Sequence, residues 1–339
     1  MKILYYLSAI ALLTGTVTTA EGQIRDGQTV VVTASNTSNN QLLAYDTSGR
    51  LLQTVATNGK GGVGGNAGGI ARSGNKLALV NFGSESVSLF HRGEDGFRLT
   101  QVISTASAPQ SVAFGHRHLY ILGATGVESH RVYEWGVDSS PDGIAPLVVA
   151  DGSAAQVGVL ENQLIISEKS NAIETVNLSR ENAVEGAAKL VENIPANVNA
   201  PFGLATRGNE AYVTIAHANE ISLVRKDAVV TVTGSGTQHA PCWVALDGPF
   251  LFSSNSPSQS VSRYLVYGTN IIQQAAVAAT FHGNPTDIAY REGWAAVVDG
   301  TGTVSHLSIF KVDGEGNLTL NGVATLGGGA NGVAIVPGE

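Results

Sequence analysis

One cysteine, Cys242, stands in 339 residues. An internal disulfide is therefore excluded, and a chain of this length has to be held by packing alone. Charged residues are also scarce, at 14% against roughly 25% in ordinary domains. The net charge is −8 and no cluster of Lys or Arg occurs, which removes the electrostatic footprint of a nucleic-acid or anionic-lipid binder. Beyond residue 20 no run approaches the roughly 20 apolar residues of a membrane-crossing helix. The chain also lacks Gly-x-Ser-x-Gly, the elbow of many serine hydrolases, and any His-x-x-x-His spacing that would suggest a metal centre.

What the sequence has in quantity is glycine, 41 residues. With so few charges, this points to many tight turns and a β architecture. The first twenty residues read as a cleavable export signal. Lys2 begins it, Ile3 to Leu13 form its apolar core, and Thr18-Thr19-Ala20 supplies small residues for cleavage. Residues 1–20 are accordingly assigned as a signal peptide and residues 21–339 as a single domain. The expected location is extracellular, or periplasmic in a bacterium. In a eukaryote, Asn36, Asn177 and Asn317 would be acceptors for N-linked glycans.

A repeat decides the fold. A short phrase, often turn-apolar-small, recurs as Gly69-Ile70-Ala71, Ser111-Val112-Ala113, Gln156-Val157-Gly158, Gly203-Leu204-Ala205, Trp243-Val244-Ala245, Asp287-Ile288-Ala289 and Gly332-Val333-Ala334. The spacings between successive last residues are 42, 45, 47, 40, 44 and 45. After each phrase comes a turn, then a continuous apolar run such as Lys76-Leu77-Ala78-Leu79-Val80, then an alternating strand such as Val87-Ser88-Leu89-Phe90, then a weaker fourth strand. Four strands in about 45 residues make a propeller blade. The expected fold is all-β, a seven-bladed β-propeller with four-stranded antiparallel blades. The last unit supplies only one strand, near Val333 to Val336, and Thr29–Val32 opens the mature chain without a first strand. The N-terminal strands should therefore complete the C-terminal blade and close the ring. Glu181 to Leu190, the one helix-compatible stretch, has no amphipathic stripe and reads as a long outer loop.

The phrases Ala200-Pro201-Phe202-Gly203-Leu204-Ala205, Ala240-Pro241-Cys242-Trp243-Val244-Ala245, Ser254-Asn255-Ser256 and Val261-Ser262-Arg263-Tyr264 resemble those of the lactonase or 3-carboxymuconate cyclase-like seven-bladed propellers, extracellular proteins of bacteria and fungi. The resemblance covers essentially the mature chain and consists of blade-building phrases. It implies a cofactor-free enzyme that opens or closes a lactone on a cyclic or carboxylated substrate. The Pro-Arg-His phrases of enzymatic members are absent here, so no catalytic residue is carried over from the family.

Candidate site residues come instead from position. Loops leading into the innermost strands share one end of a propeller with the loops joining second to third strands. Ten residues past each repeat anchor stand Asn81, Gly123, Glu168, Ile215, Asn255 and Asp299. Glu168 and Asp299, three blades apart, are candidates for a general acid/base pair facing across the channel; alternatively each caps its own turn. His217 and His282 are further catalytic candidates, without metal. Asn81, Gln110, His239, Cys242, Asn255, Asn284, Asp287 and Asn331 are ligand-binding candidates, and Asn66 lies on the same loops. Cys242 is either a nucleophile near His239 or a small buried hydrophobe. The glycine-rich 59–69 segment lacks the Lys-Ser/Thr pair of a phosphate loop and reads as a rim loop. The expectation is a monomer without cofactor that acts on a small molecule. The alternative is a non-catalytic binding protein or adhesin that uses the same face for a small ligand, an extracellular protein or a glycan.

Overall fold

The computed structural model describes residues 22–64, 68–192 and 199–338. The segment read as an export signal and Asn66 lie outside these residues. The described residues form seven four-stranded antiparallel sheets. Blades 1 to 6 follow one another along the chain at 70–104, 109–146, 154–190, 201–234, 241–280 and 284–327. Blade 7 joins the C-terminal strand Asn331–Val336 to Val30–Ala34, Gln41–Asp46 and Leu51–Ala56. Among the described residues the only helical pieces are two 3-10 turns, Phe82–Ser84 and Ala216–Ala218.

The continuous apolar runs are second strands buried on both faces. In Lys76–Asn81, Leu77 and Leu79 pack toward blade 7 with Val30, Val32 and Ile70. Ala78 and Val80 pack toward blade 2 with Val112, Leu119 and Ile121. Period-2 alternation sends successive side chains to opposite neighbours, so each second strand belongs to two cores at once. Each fully buried Leu or Val adds about 1.5–3 kcal/mol, and the seven clusters together do the work that disulfides do in smaller secreted folds.

Ring closure is a ladder between the two ends of the chain. Val30, Val31, Val32 and Thr33 pair with Val336, Ile335, Ala334 and Val333. Thr33 Oγ1 adds a hydrogen bond to the Gly332 carbonyl at 2.6 Å. The Arg92 guanidinium, from blade 1, donates to the carbonyls of Gln28, Val336 and Pro337 at 2.5, 3.2 and 2.9 Å, pinning both ends to the next blade.

Two expectations are corrected. Val184–Leu190 is the fourth strand of blade 3, paired with Ala172–Leu178, not a loop. Its polar residues face solvent in an outermost strand, so it needed no amphipathic signal to fold. The last repeat anchor also shifts by one. Ala71, Ala113, Gly158, Ala205, Ala245 and Ala289 pair with Ala78, Tyr120, Ile165, Tyr212, Phe252 and Ala296. In blade 7 the register-equivalent residue is Ile335, opposite Val31, with Ala334 opposite Val32.

Candidate functional site

Each blade places the end of its second strand beside the start of its first, so the positions at Asn81, Gly123, Glu168, Ile215, Asn255 and Asp299 do share one end of the ring. All six are buried. In blade 7 the position falls to Ala34, which faces Asn331 as Asn255 faces Pro241. What these side chains do differs from blade to blade. Asn81 donates from Nδ2 to Ser86 and Ser88 Oγ at 3.4 and 2.7 Å and accepts from Asn40 Nδ2 at 3.1 Å. Asn255 donates likewise to Ser260 and Ser262, at 3.1 and 2.8 Å. Both amides therefore tie second strand to third, five and seven residues on, and are internal links of the blade.

Blade 6 puts charged groups into this frame. Asp299 takes the place of the asparagine and His306, seven residues on, that of the second serine. The imidazole Nδ1 lies 3.4 Å from Asp299 Oδ2, with side-chain exposures of 24% for His306 and 2% for Asp299. The same oxygen accepts the Gly283 N–H at 2.8 Å. Only glycine fits there, because a Cβ would stand 2.7 Å from that oxygen and 2.6 Å from the Gly300 carbonyl carbon. The carboxylate is thus fixed from one side and the imidazole is left partly open to solvent. His282 is exposed, and its ring centroid lies 6.4 Å from that of His306.

Glu168 in blade 3 is enclosed completely. Its Oε2 accepts from Ser153 Oγ at 3.1 Å, and its Oε1 has no partner. Burial, opposed by that one hydrogen bond and augmented by the nearby Glu174 carboxylate, pushes its pKa up to about 8. Glu174 is equally buried but accepts the N–H groups of Val148 and Val149 at 2.9 and 2.7 Å. The hydrogen-bond and ion-pair partners of Glu168 and Asp299 lie within their own blades, and the structure shows no contact between the two acids. Lys169, whose own pKa is lowered by burial, extends over the Phe202 ring at 5.8 Å.

Hydrogen bonds link neighbouring inner strands at this end. Gln156 Oε1 accepts the Leu204 N–H at 2.7 Å, and Ser111 Oγ accepts from Val157 N at 3.3 Å and donates to the Gly68 carbonyl at 3.2 Å. Asp287 Oδ2 accepts the Val333 N–H at 3.1 Å, and Oδ1 that of Ile288 at 2.8 Å. A third N–H, from Gly68, also favours its charged form, yet burial wins and raises its pKa to about 7. Asp287 therefore bridges the inner strands of blades 6 and 7 and the start of blade 1. A cavity of about 490 Å³ opens at the opposite end of the axis, between the inner strands of blades 1 to 4, with Ile70, Val112, Val157 and Leu204 among its walls and His116 and Glu161 at its rim.

The other predicted residues are dispersed. His217 and His239 are exposed, and their backbone N–H groups are bound by the Asn199 carbonyl and Ser258 Oγ. Gln110 is buried and Asn284 exposed, while Asn331 accepts the Gly332 N–H on its own Oδ1. Cys242 is 7% exposed, its thiol donates to the Ala240 carbonyl at 3.2 Å, and burial pushes its pKa up to about 12. Among the sequons, Asn177 and Asn317 are exposed. Asn36 instead spends its side chain on the rim loop, donating to the Val63 and Gly329 carbonyls and accepting from Gly62 and Val63. Gly61 follows that backbone so closely that a Cβ would lie 2.4 Å from the Asn36 carbonyl carbon. Arg131 turns to Glu181 at 2.7 Å. Among the described residues no three His, Cys, Asp or Glu side chains gather as metal ligands, and no helix is long and apolar enough to cross a membrane.

His306 was missed by reading the lead-in loops alone. Its signal was available in the seven-residue interval: Asn81–Ser88 and Asn255–Ser262 become Asp299–His306.

The fold is that of a seven-bladed β-propeller. The chain matches no protein-family profile and no curated relative by sequence, but several solved structures share the architecture. One is a Bacteroides uniformis protein provisionally described as a 6-phosphogluconolactonase, with TM-score 0.66 and 13% identity over 92% of this chain and 100% of that one. Another is the periplasmic gluconolactonase of Pseudomonas aeruginosa, with TM-score 0.64 and 12% identity over 92% and 99%. A streptogramin B lyase is similar over 75% of this chain and 82% of its own, with TM-score 0.57 and 14% identity. At these identities the likeness is one of fold.

Proposed function

We propose that this protein is an exported, cofactor-free lactonase-type hydrolase of a small cyclic ester, working at the end of the ring that carries the lead-in loops. The observation that carries this reading is the Asp299–His306 pair, a buried carboxylate behind a partly exposed imidazole. With Nδ1–H directed at Asp299, Nε2 bears the lone pair and can take a proton from water. The water oxygen then bonds to the lactone carbonyl carbon, the ring C–O bond breaks, and the proton on His306 passes to the departing alkoxide. Asp299 acts as a positioning residue that holds the ring and its tautomer. Lactonases among the structural neighbours support the substrate class.

The test is hydrolysis of an aldono-δ-lactone followed by acid release. His306→Gln and Asp299→Asn should each lower turnover by about 10²-fold or more, with folding checked by circular dichroism. Parent activity that survives both substitutions would overturn the assignment. The hydrogen bonds that tie the inner strands together at this end favour a second reading, a shallow non-catalytic binding surface, for which the parent protein would be inactive as well.

A further inference from the structure

The third strand of blade 2, Gly126–Arg131, departs from its counterparts. Where blade 1 has Val87-Ser88-Leu89-Phe90, it reads Val127-Glu128-Ser129-His130. Glu128 and His130 share one face of the strand, and their cross-strand partners are Ile121 and Leu119, members of the apolar core between blades 1 and 2. Glu128 is 6% exposed and His130 fully buried. His130 donates from Nδ1 to the Asp138 carbonyl at 2.9 Å, leaving Nε2 without a partner. That nitrogen stands 3.9 Å from Glu128 Oε1, too far for a hydrogen bond. Among the described residues no hydrogen bond reaches the Glu128 carboxylate. With the proton on Nδ1, Nε2 and the Glu128 carboxylate thus face each other with no hydrogen bond between them, and a donor placed beside the carboxylate would be stabilising.

Glu128 lines a cavity of about 210 Å³. Gly123, at the position held by Asn81, Glu168, Asn255 and Asp299 in other blades, also lines this cavity, with the Ser107 hydroxyl where its side chain would stand. Its walls are Ala106, Val127, Ala145 and Pro146, and its lip is Ile144, left 56% exposed. A largely apolar chamber with a buried acid in its wall and no hydrogen bond to that acid suits a ligand with an apolar body and a cationic donor head.

We propose that this chamber is a binding site for a small organic ammonium compound, its charged nitrogen on Glu128 and its hydrocarbon body between Ile144 and Pro146. The site is independent of the Asp299–His306 pair, four blades away in chain order. The experiment titrates the full chain with benzylammonium and, in parallel, its neutral analogue benzyl alcohol, by calorimetry. Benzylammonium should bind with a dissociation constant on the order of millimolar or tighter, and the alcohol at least 10-fold more weakly. Glu128→Gln, which keeps the shape, should weaken the ammonium at least 10-fold while leaving lactone hydrolysis unchanged. Ile144→Trp, at an exposed position, should block the lip and abolish binding in a protein that melts normally. Equal affinity for the amine and the alcohol, unaltered affinity in either variant, or no binding of benzylammonium to the parent would overturn the proposal.

Discussion

Glu168→Gln isolates the energetic consequence of one buried acid. In the folded protein the carboxyl titrates near 8 and in the unfolded chain near 4.5, a difference of 8 − 4.5 = 3.5 pH units, each equivalent to about 1.36 kcal/mol. The sign follows from which state binds the proton. Below pH 4.5 both states are protonated and stability is at its full value. Between about 4.5 and 8 the unfolded chain has lost the proton and the native state keeps it, so stability falls by about 1.4 kcal/mol per pH unit. Above 8 both are ionised and the loss, about 5 kcal/mol before any local relaxation, is complete. Glutamine retains the shape of the neutral acid and cannot ionise. The variant should therefore match the parent near pH 4.5 and exceed it at pH 8.5, with a melting temperature higher by about 5–10 °C for a chain this long. The assay is thermal or denaturant unfolding of both proteins from pH 4.5 to 9. Asp46, Asp142 and Glu210, whose pKa values are lowered, act below this window, and Asp287 is common to both proteins, so the difference curve belongs to Glu168. Parallel curves across the window would refute the reasoning.

Asp287→Ala should cost about 2–6 kcal/mol, because the N–H groups of Val333 and Gly68 lose their buried acceptor, at about 1–3 kcal/mol each. A denaturation midpoint equal to the parent's would exclude a bridging role. Cys242, buried with its thiol raised to about 12, should resist Ellman's reagent at pH 8 until the protein is denatured. Cys242→Ala should leave lactone turnover intact while costing about 1–3 kcal/mol; rapid labelling of the native protein would contradict its burial.

The blade repeat was legible because it is written in backbone chemistry: turn residues, then a strand buried on both faces. The pairing of Ala71 with Ala78 and of Ala289 with Ala296 obeys one offset. It failed by one residue only in blade 7, where the hairpin is replaced by two distant segments and no turn fixes the register. Val184–Leu190 was illegible for a related reason, since an outermost strand buries little and carries little pattern. The positions of Glu168 and Asp299 could be counted from the anchors, but the directions of their side chains could not. Those depend on Ser153 and Gly283, fifteen and sixteen residues upstream, and on which neighbour replaces the serine of Asn81 and Asn255. His306 became visible only once the blades were compared position by position.

Blade 7 also sets the order of events in synthesis. Val30 waits for Val336, so during translation the three N-terminal strands stand beside blade 1 with one unpaired edge until nearly the whole chain has been made. Joining segments some 300 residues apart in an otherwise unfolded chain would cost about 5 kcal/mol of loop entropy. With blades 1 to 6 already stacked, most of that cost has been met by local hairpins, and the last strand docks into a prepared slot. Until then the strand Val30–Ala34 presents an edge that a second nascent chain could pair with.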